Sequence, residues 1–427
     1  MTNLNAQRRP AVYRIHTEQG RYYFAAGLTL MLSSAAFRAG YASAGVALFA
    51  AFPLALVIAR FEVLSFDGAC LRRRGPYAWL HARLLGAQTQ LPIDQLELTI
   101  TEAVYLPFSA ARHRFRTILA GAGFEAVIFS NSAGYQPFVT AVFAVTDESK
   151  LDFHSNAWRR YGAPPPLTPV AATLDDDHMA QIPTSLLRRV ANHLTLIGHL
   201  KLALRYFRQA YGRDRGNPHL LCEMGHFFRR FAVSESPQWQ LRAGACLRLA
   251  ARLARHEPRL LERIGEAYCE LFDFARAERC FRRAIEIDRN LFRAYAGLAE
   301  IAFRDGQLAR VAHYYYAAAQ GSEDPALRHR AQREARYYER LSQDDEYLEA
   351  EVRRITFLHH VRQMRAVAGY AFFTAWLVVG LAGRLSPDLQ DGGLALMGSS
   401  GLAWLGLSVG LRWRRKRAEL PETATSK

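Results

Sequence analysis

The chain has 427 residues, which allows two or three domains, and half of its residues are hydrophobic. Aromatic residues make up 12%, a level that excludes a largely disordered protein. The net charge is +16, from 55 Lys and Arg against 39 Asp and Glu, and much of this charge flanks apolar segments. Basic residues in that position favour membrane topology and lipid contact over nucleic-acid binding.

Four apolar segments, in two pairs, predict two transmembrane helical hairpins, at 22–60 and 366–411. The segments themselves cover residues 22–37, 41–59, 366–383 and 393–411. The second segment has about the length that a bilayer requires, and the first is shorter. Only Arg38, Ala39 and Gly40 separate the first pair, which is too short a connector for anything but a hairpin.

The flanking charges predict the orientation of these hairpins. Basic residues cluster in the N-terminal segment 1–21, after the first hairpin, before the second hairpin and in the tail 412–427, whereas each connector holds one Arg. The positive-inside rule then puts both termini and the whole middle region on the cytoplasmic side of a multi-pass protein, as in a bacterial inner membrane. The five cysteines form no CxxC pair, which fits a reducing compartment.

A different interpretation of the first apolar pair is a cleaved signal peptide over residues 22–44. Ala42, Ser43 and Ala44 resemble a cleavage site, but Arg38 interrupts such a signal and the apolar run continues past Ala44.

Residues 61–150 predict a small β-rich domain. Asp67-Gly68 joins two strand-like runs, FEVLSF and ACLRRR, which is typical of a β-hairpin. QLELTI, RFRTILAG, FEAVIFS and PFVTAVFAV are expected to be further strands of a sandwich or small barrel. A sheet domain that follows two membrane helices resembles the bacterial pleckstrin-homology-like membrane proteins.

Basic side chains give this domain a possible lipid-contact edge, for which the alternative interpretation is a solvated surface. The residues are Arg72, Arg73, Arg74, Arg112, Arg114 and Arg116. Basic residues near an anionic leaflet attract its headgroups, so this edge motivates a lipid-sensing function.

Prolines at 164–166 and 169 predict a linker over residues 151–183. Within it, Asp175, Asp176, Asp177 and His178 are candidate metal ligands. Adjacent acids do not by themselves build a coordination shell, so a solvated linker or helix cap is the other interpretation.

A period of about 34 residues dominates the segment 184–325. In residues 258–291, small or apolar residues recur where two helices of one unit must approach each other: Leu261, Ile264, Gly265, Tyr268, Ala277, Phe281 and Ala284. The same pattern recurs in residues 184–217 and 292–325 and, with six additional residues in the turn between its helices, in residues 218–257. This pattern resembles the tetratricopeptide repeat (TPR) and implies four repeats of paired helices. Residues 326–365 predict a capping helix that continues into the third apolar segment.

The TPR resemblance implies a concave groove lined by the first helix of each repeat. The side chains expected to bind a partner there are Arg188, Asn192, His219, Glu223, His226, Arg259, Glu262 and Arg263. Four of them, Arg188, Asn192, Arg259 and Arg263, match the positions that grip a C-terminal carboxylate in some members of the family. Glu223 stands where such a clamp needs another Asn, and its charge opposes an acidic ligand.

The fold class expected is therefore mainly α: an α-solenoid of TPR helix pairs with two transmembrane hairpins and a small β-rich domain. No nucleotide-binding, hydrolase or metal motif occurs in the sequence, so we expect neither an enzyme nor a cofactor or metal. The function predicted is a membrane-anchored scaffold that binds a protein partner, through an acidic or C-terminal peptide, with homo-oligomers allowed and no nucleic acid. The alternative is a lipid-sensing membrane regulator that acts through the β-rich domain.

Overall fold

The computed structural model describes residues 12–17, 19–38, 40–105, 113–121, 123–166, 181–232, 237–382 and 387–413. The protein is mostly helical and divides into two compact units. Unit 1 comprises Met1–Tyr22 and Val57–Ala335, and unit 2 comprises Tyr23–Leu56 and Arg336–Lys427.

The first sheet of unit 1 has four antiparallel strands in chain order. They are β1 (Tyr13–His16), β2 (Val63–Phe66), β3 (Cys70–Arg74) and β4 (Gln90–Pro92). The expected hairpin of β2 and β3 is confirmed, with Val63 opposite Arg74 and Phe66 opposite Leu71. Its turn forms because Gly68 takes a φ of 95° and the Asp67 carboxylate accepts the backbone N–H of Cys70 at 2.8 Å. Helix α3 (Pro76–Leu85), which the β-rich pattern did not predict, follows β3.

The second sheet has three antiparallel strands that the sequence indicated. They are β5 (Leu98–Tyr105), β6 (His113–Gly121) and β7 (Phe124–Phe129). Both sheets share one apolar core, to which the first contributes Leu64, Phe66 and Leu71 and the second Phe115, Leu119 and Ile128.

The predicted strand PFVTAVFAV is wrong, because this segment forms helix α4 (Tyr135–Val145). Its buried residues recur at helical spacing: Tyr135, Phe138, Val139, Val142 and Phe143. A short apolar run cannot be assigned to strand or helix from its composition alone, since either element buries such a run. Gly134, at a φ of 85°, starts the helix after β7 and directs it back over the core.

Helix α5 (Phe153–Tyr161) lies in the segment that we expected to be a linker. The Asp152 carboxylate caps it by accepting the backbone N–H of Ser155 at 2.9 Å. Trp158 is buried edge-to-face against Phe115 and Tyr135, so this part of 151–183 belongs to the folded unit.

Four helix pairs follow, within the segment where four repeats were predicted. Their helices are α6 (Thr184–Ile197), α7 (Leu200–Arg213), α8 (Pro218–Ala232), α9 (Pro237–Leu253), α10 (Pro258–Glu270), α11 (Phe274–Ile287), α12 (Phe292–Arg304) and α13 (Leu308–Gly321). Adjacent helices pack closely because small residues face large ones. A Cβ on Gly265 or on Gly297 would lie 2.6 Å or 2.5 Å from the ring of Phe281, so only glycine fits at either position.

Helix α14 (Pro325–Gln343) follows the last pair, and α15 (Asp345–Ala382) continues into the third apolar segment. The expected single capping helix is thus divided at Asp344, whose carboxylate accepts the backbone N–H of Tyr347 at 2.9 Å and caps α15.

Unit 2 contains most of α1 (Gln19–Arg38) and α2 (Ala42–Ala59), where the Ser33 hydroxyl of α1 donates to the backbone oxygen of Gly45 in α2. It also contains α15, which packs against α16 (Pro387–Trp413). Helix α1 begins in unit 1 and α2 ends there. Among the described residues, one helix, Ala42–Ala59, has the length and the hydropathy needed to cross a membrane. Some residues with expected roles lie outside the described residues: Arg112, Asp175–Asp177 with His178, and the basic ends 1–11 and 414–427.

Candidate functional site

The eight predicted groove residues come from α6, α8 and α10, each the first helix of its pair. We call the surface formed by α6, α8, α10 and α12 the first-helix face. Helical spacing places Arg188 and Asn192 one turn apart on α6, and Glu223 and His226 nearly one turn apart on α8. Most of these side chains are buried or half-buried, because a segment of the same chain lies against them.

At the α6–α8 end of this face, Arg188, Glu223 and Tyr161 form one buried cluster. The Arg188 guanidinium donates to both oxygens of Glu223, from Nε at 3.0 Å and from Nη2 at 2.7 Å. The Tyr161 hydroxyl donates to the same carboxylate at 2.6 Å, and Glu223 is 4% exposed. Burial and the Glu223 charge raise the pKa of Tyr161, so its hydroxyl stays a donor. Asn192 donates to the backbone oxygen of Arg188.

A second cluster surrounds Glu270, at the end of α10. His154 Nε2 lies 3.1 Å from one carboxylate oxygen, and Arg229 Nη2 lies 2.5 Å from the other. Phe153 packs edge-to-face on His226 with ring centroids 4.6 Å apart. Burial alone would raise the pKa of Glu270, but His154, Arg229 and His226 outweigh it and lower that pKa to about 2. Burial lowers the pKa of His226 well below its usual value, so this imidazole is neutral at pH 7.

The third cluster joins α10 to α12. Arg293 Nε donates to Glu266 at 2.6 Å, and Glu262 is buried beside them. Burial and the charge of Glu266 raise the pKa of Glu262, since two adjacent carboxylates resist double ionisation. Glu262 therefore has the character of a buried structural carboxyl.

Residues 147–161 occupy the first-helix face in cis. Trp158 of α5 packs against the sheets, whereas Phe153, His154 and Tyr161 contact the helix pairs. Lys150, only 3% exposed, donates to the backbone oxygen of Asp94 at 2.6 Å and pairs with Asp324 at 2.7 Å. Residues 147–161 thus attach the sheets to the helix pairs and to Asp324, which precedes α14.

One further contact extends this attachment to α14. The carboxylate of Glu97, just before β5, pairs with Arg333 at 2.8 Å, and its backbone oxygen accepts from Arg330 at 3.1 Å. The sheet layer therefore contacts helices from α6 to the first part of α14, and these contacts lie within unit 1.

A cavity of about 330 Å³ remains open at the end of this face. Its lining includes Ser149 from the segment before α5, Arg259 and Phe292 from the helix pairs, and Glu323 from the loop before α14. The exposed charged side chains of the lining are Asp147, Arg259 and Glu323, so the opening carries both signs of charge with more acidic than basic groups.

The four side chains of the expected carboxylate clamp do not converge on this opening. Arg188 is held by Glu223, and Asn192 is buried against the Arg188 backbone. Arg263 is half-buried close to Tyr161 and Glu223, and only Arg259 lines the cavity. His219 is half-buried, with its Nε2 3.0 Å from the Glu257 carboxylate. Arg188 and Arg263 thus stabilise the attachment of the chain's own segment, whereas Arg259 does not.

Sequence reasoning missed Phe153, His154, Lys150 and Tyr161, which cover the first-helix face. The prolines at 164–166 led us to treat the whole segment as a linker. The available signal was Asp152, a capping residue followed by a short helical run with aromatic residues on two sides.

The possible lipid-contact arginines are mostly engaged in unit 1. Arg72 pairs with Asp67 at 2.9 Å, and Arg73, 8% exposed, donates to the backbone oxygen of Glu125. Arg114 stacks over Phe129 at 3.7 Å and Arg116 lies 3.6 Å from Glu102. Arg74 is exposed, and Arg112 lies outside the described residues.

In the part of the chain that the structure describes, no group of three His, Cys, Asp or Glu side chains is arranged to hold a metal ion. In the comparisons with known proteins, no family model and no curated protein matches the chain.

Proposed function

We propose that this protein is a membrane-anchored scaffold whose paired-helix array binds a protein partner on the cytoplasmic side of the membrane. The observation that carries the proposal is that the first-helix face already binds a helix, α5 of its own chain, through aromatic and charged contacts. A face that holds one peptide segment in this way has the chemistry to hold a second at its open end. The TPR resemblance points in the same direction.

The partner segment that fits best is polar and carries both charges. Most charged side chains around the cavity are already paired internally, as Lys150 is with Asp324 and Arg293 is with Glu266. The exposed Asp147, Arg259 and Glu323 remain, so basic groups of the partner would meet two carboxylates and an acidic group would meet Arg259. This refines the purely acidic ligand expected from the clamp.

The membrane anchor is the two hairpins of unit 2, proposed to cross the bilayer four times. Their outward surface is apolar, with exposed residues that include Phe49, Leu54, Val367, Phe373 and Leu402. Large exposed apolar surfaces mark contact with lipid or protein. Polar and small residues face inward instead: Ser33 donates to the backbone oxygen of Gly45 at 2.8 Å, and a Cβ on Gly393 would meet Val379 at 2.7 Å.

Site-specific photocrosslinking in native membranes tests the scaffold. A photoreactive residue at position 259, which lines the cavity, is expected to crosslink a partner protein, and the same residue at Arg255 is not. Arg255 is also exposed and lies only four residues away, outside the cavity lining.

Charge reversal gives the matched variants. Arg259→Glu and Glu323→Arg should each reduce recovery of the crosslinked partner with the full-length protein, while Arg255→Glu leaves it unchanged. Equal recovery from all three variants, or equal crosslinking from positions 255 and 259, would contradict a partner site at this cavity.

A further inference from the structure

Helix α3 presents an exposed face that the core of unit 1 does not use. Trp79 is 59% exposed and Leu80 is 45% exposed, whereas Ala78 is buried. Pro76, Trp79, Leu80 and Arg83 follow the spacing i, i+3, i+4, i+7, so they share one side of the helix, and all four are exposed. An exposed Trp beside an exposed Leu on a ten-residue helix is an unusual placement for a surface that faces only water.

The charges around this face are positive. The helix contains Arg83 and no acidic residue, and the exposed Arg74 immediately precedes it. The Arg83 guanidinium lies 5.5 Å from the Trp79 ring centroid, over its face. An apolar strip bordered by arginine, with Trp at its centre, has the composition of a helix that lies in the headgroup region of an anionic membrane.

Strand pairing keeps α3 close to the end of the apolar helix α2. Val63 pairs with Arg74, and Val63 is four positions after Ala59, where α2 ends. At about 3.5 Å per residue and about 5 Å across the strand pair, Arg74 lies within about 20 Å of Ala59. The chain therefore returns close to the end of α2 before α3 begins, two residues after Arg74.

The direction of α3 is set by a conformation that only glycine adopts. Gly75 has a φ of 141°, and a Cβ there would lie 2.4 Å from the Glu62 carboxyl carbon. Glu62 is fully buried and accepts a hydrogen bond from the Tyr22 hydroxyl at 2.7 Å. This closely packed turn holds the start of α3 against the residues that follow α2.

We propose that α3 is an interfacial helix that inserts Trp79 and Leu80 among the headgroups of an anionic bilayer, with Arg74 and Arg83 contacting lipid phosphates. This inference rests on the proposed membrane anchor, because α3 can reach the headgroups only if the nearby helix α2 crosses the bilayer. It assigns lipid contact to α3 and Arg74 rather than to Arg72, Arg73, Arg114 and Arg116, which unit 1 already engages.

Photocrosslinking to lipid in the intact protein tests this assignment. The full-length chain is reconstituted in nanodiscs that contain a phosphatidylglycerol with a photoreactive headgroup, and lipid adducts are mapped on tryptic peptides. Trypsin cleaves after Arg74 and after Arg83, so α3 is reported by peptide 75–83, and α2 by peptide 39–60. We expect adducts on both peptides from nanodiscs rich in phosphatidylglycerol.

The adduct on 75–83 should fall several-fold when most of the phosphatidylglycerol is replaced by phosphatidylcholine, or at about 0.5 M salt, since the attraction to the headgroups is screened. Joint replacement Trp79→Glu and Leu80→Glu should abolish this adduct, because carboxylates oppose an anionic surface. The matched pair Leu241→Glu and Leu249→Glu, at exposed leucines of α9, should leave it unchanged.

The outcomes separate the two proposals. Adducts on 39–60 without any on 75–83 overturn the role of α3 and leave the membrane anchor standing. Absence of adducts on 39–60 overturns the anchor itself, and the inference with it.

Discussion

Glu270 joins three elements of unit 1 through single side chains. Its carboxylate contacts His154 of α5, and His226 and Arg229 of α8, while its own backbone ends α10. A buried charge of this kind is tolerated because a counter-charge lies close to it, here the Arg229 guanidinium at 2.5 Å. Burial would raise the pKa of Glu270 above its ordinary value of 4.5, but these neighbours outweigh burial and lower it to about 2.

Glu270 is therefore expected to make folding pH-dependent. Its lowered pKa stabilises the fold fully above about pH 4.5, and the stabilisation is lost as pH falls towards 2. At about 1.4 kcal/mol per pH unit between these values, it is on the order of 3 kcal/mol. Glu270→Gln should lower the thermal midpoint of the full-length protein in detergent at pH 6, and much less at pH 3. The control Glu286→Gln, at an exposed residue, should change little at either pH. A pH-independent effect of Glu270→Gln would count against this account.

Helix α5 packs on two layers at once. Trp158 and Ser155 face the sheets, where Ser155 hydrogen-bonds Thr101 at 2.8 Å, and Phe153, His154 and Tyr161 face the helix pairs. Nine residues suffice for this because successive helical positions point in different directions. The first-helix face is accordingly a packed interface over much of its length, with a cavity beside Arg259.

Replacing Phe153 and Tyr161 together by Ser should release the array side of α5. The double change removes the ring packing on His226 and the hydrogen bond to Glu223, so amides of α5 and α8 should exchange with solvent roughly tenfold faster or more. Hydrogen exchange measured by mass spectrometry on the full-length protein reports both helices. Leu241→Ser, at a side chain that is 73% exposed, is the matched control and should alter neither. Unchanged exchange in the double variant would mean that α5 does not depend on these contacts.

The whole molecule combines two opposite surface patterns. Unit 1 buries its apolar side chains in cores between sheets and helices, while unit 2 exposes many of them and turns serine and glycine inward. The surface of unit 1 is suited to water, and that of unit 2, as we propose, to lipid. Under this proposal, the basic residues that flank the apolar segments predict which side of the membrane unit 1 occupies.

Reporter fusions test this topology. An alkaline phosphatase that folds only outside the cytoplasm should be active when fused after Gly40 or after Ser386, the two hairpin connectors. It should be silent after Ala172 and after Lys427, because the basic flanks retain these points inside. Activity at Ala172 would place the helix pairs outside and contradict a cytoplasmic partner. Expression of each fusion, checked by immunoblotting, is the control.

The sequence by itself determined the features that depend on local periodicity. The β2–β3 hairpin follows from Asp67-Gly68 between alternating strands, and the helix pairs follow from small residues at fixed spacing, such as Gly265 opposite Phe281. These patterns are readable because neighbours along the chain decide them. The resemblance to TPR and pleckstrin-homology-like proteins stays a prediction.

Only the tertiary structure decided what covers the first-helix face. The Arg188–Glu223 and Tyr161–Glu223 contacts join residues 35 and 62 positions apart, and no local pattern specifies them. The tertiary structure also decided the conformation of α4, because its apolar run is compatible with a strand or a helix, and the side chains that it buries in the core lie at helical spacing. Side chains expected to bind a carboxylate instead hold α5, because a buried charge is satisfied by whichever counter-charge the fold brings within reach.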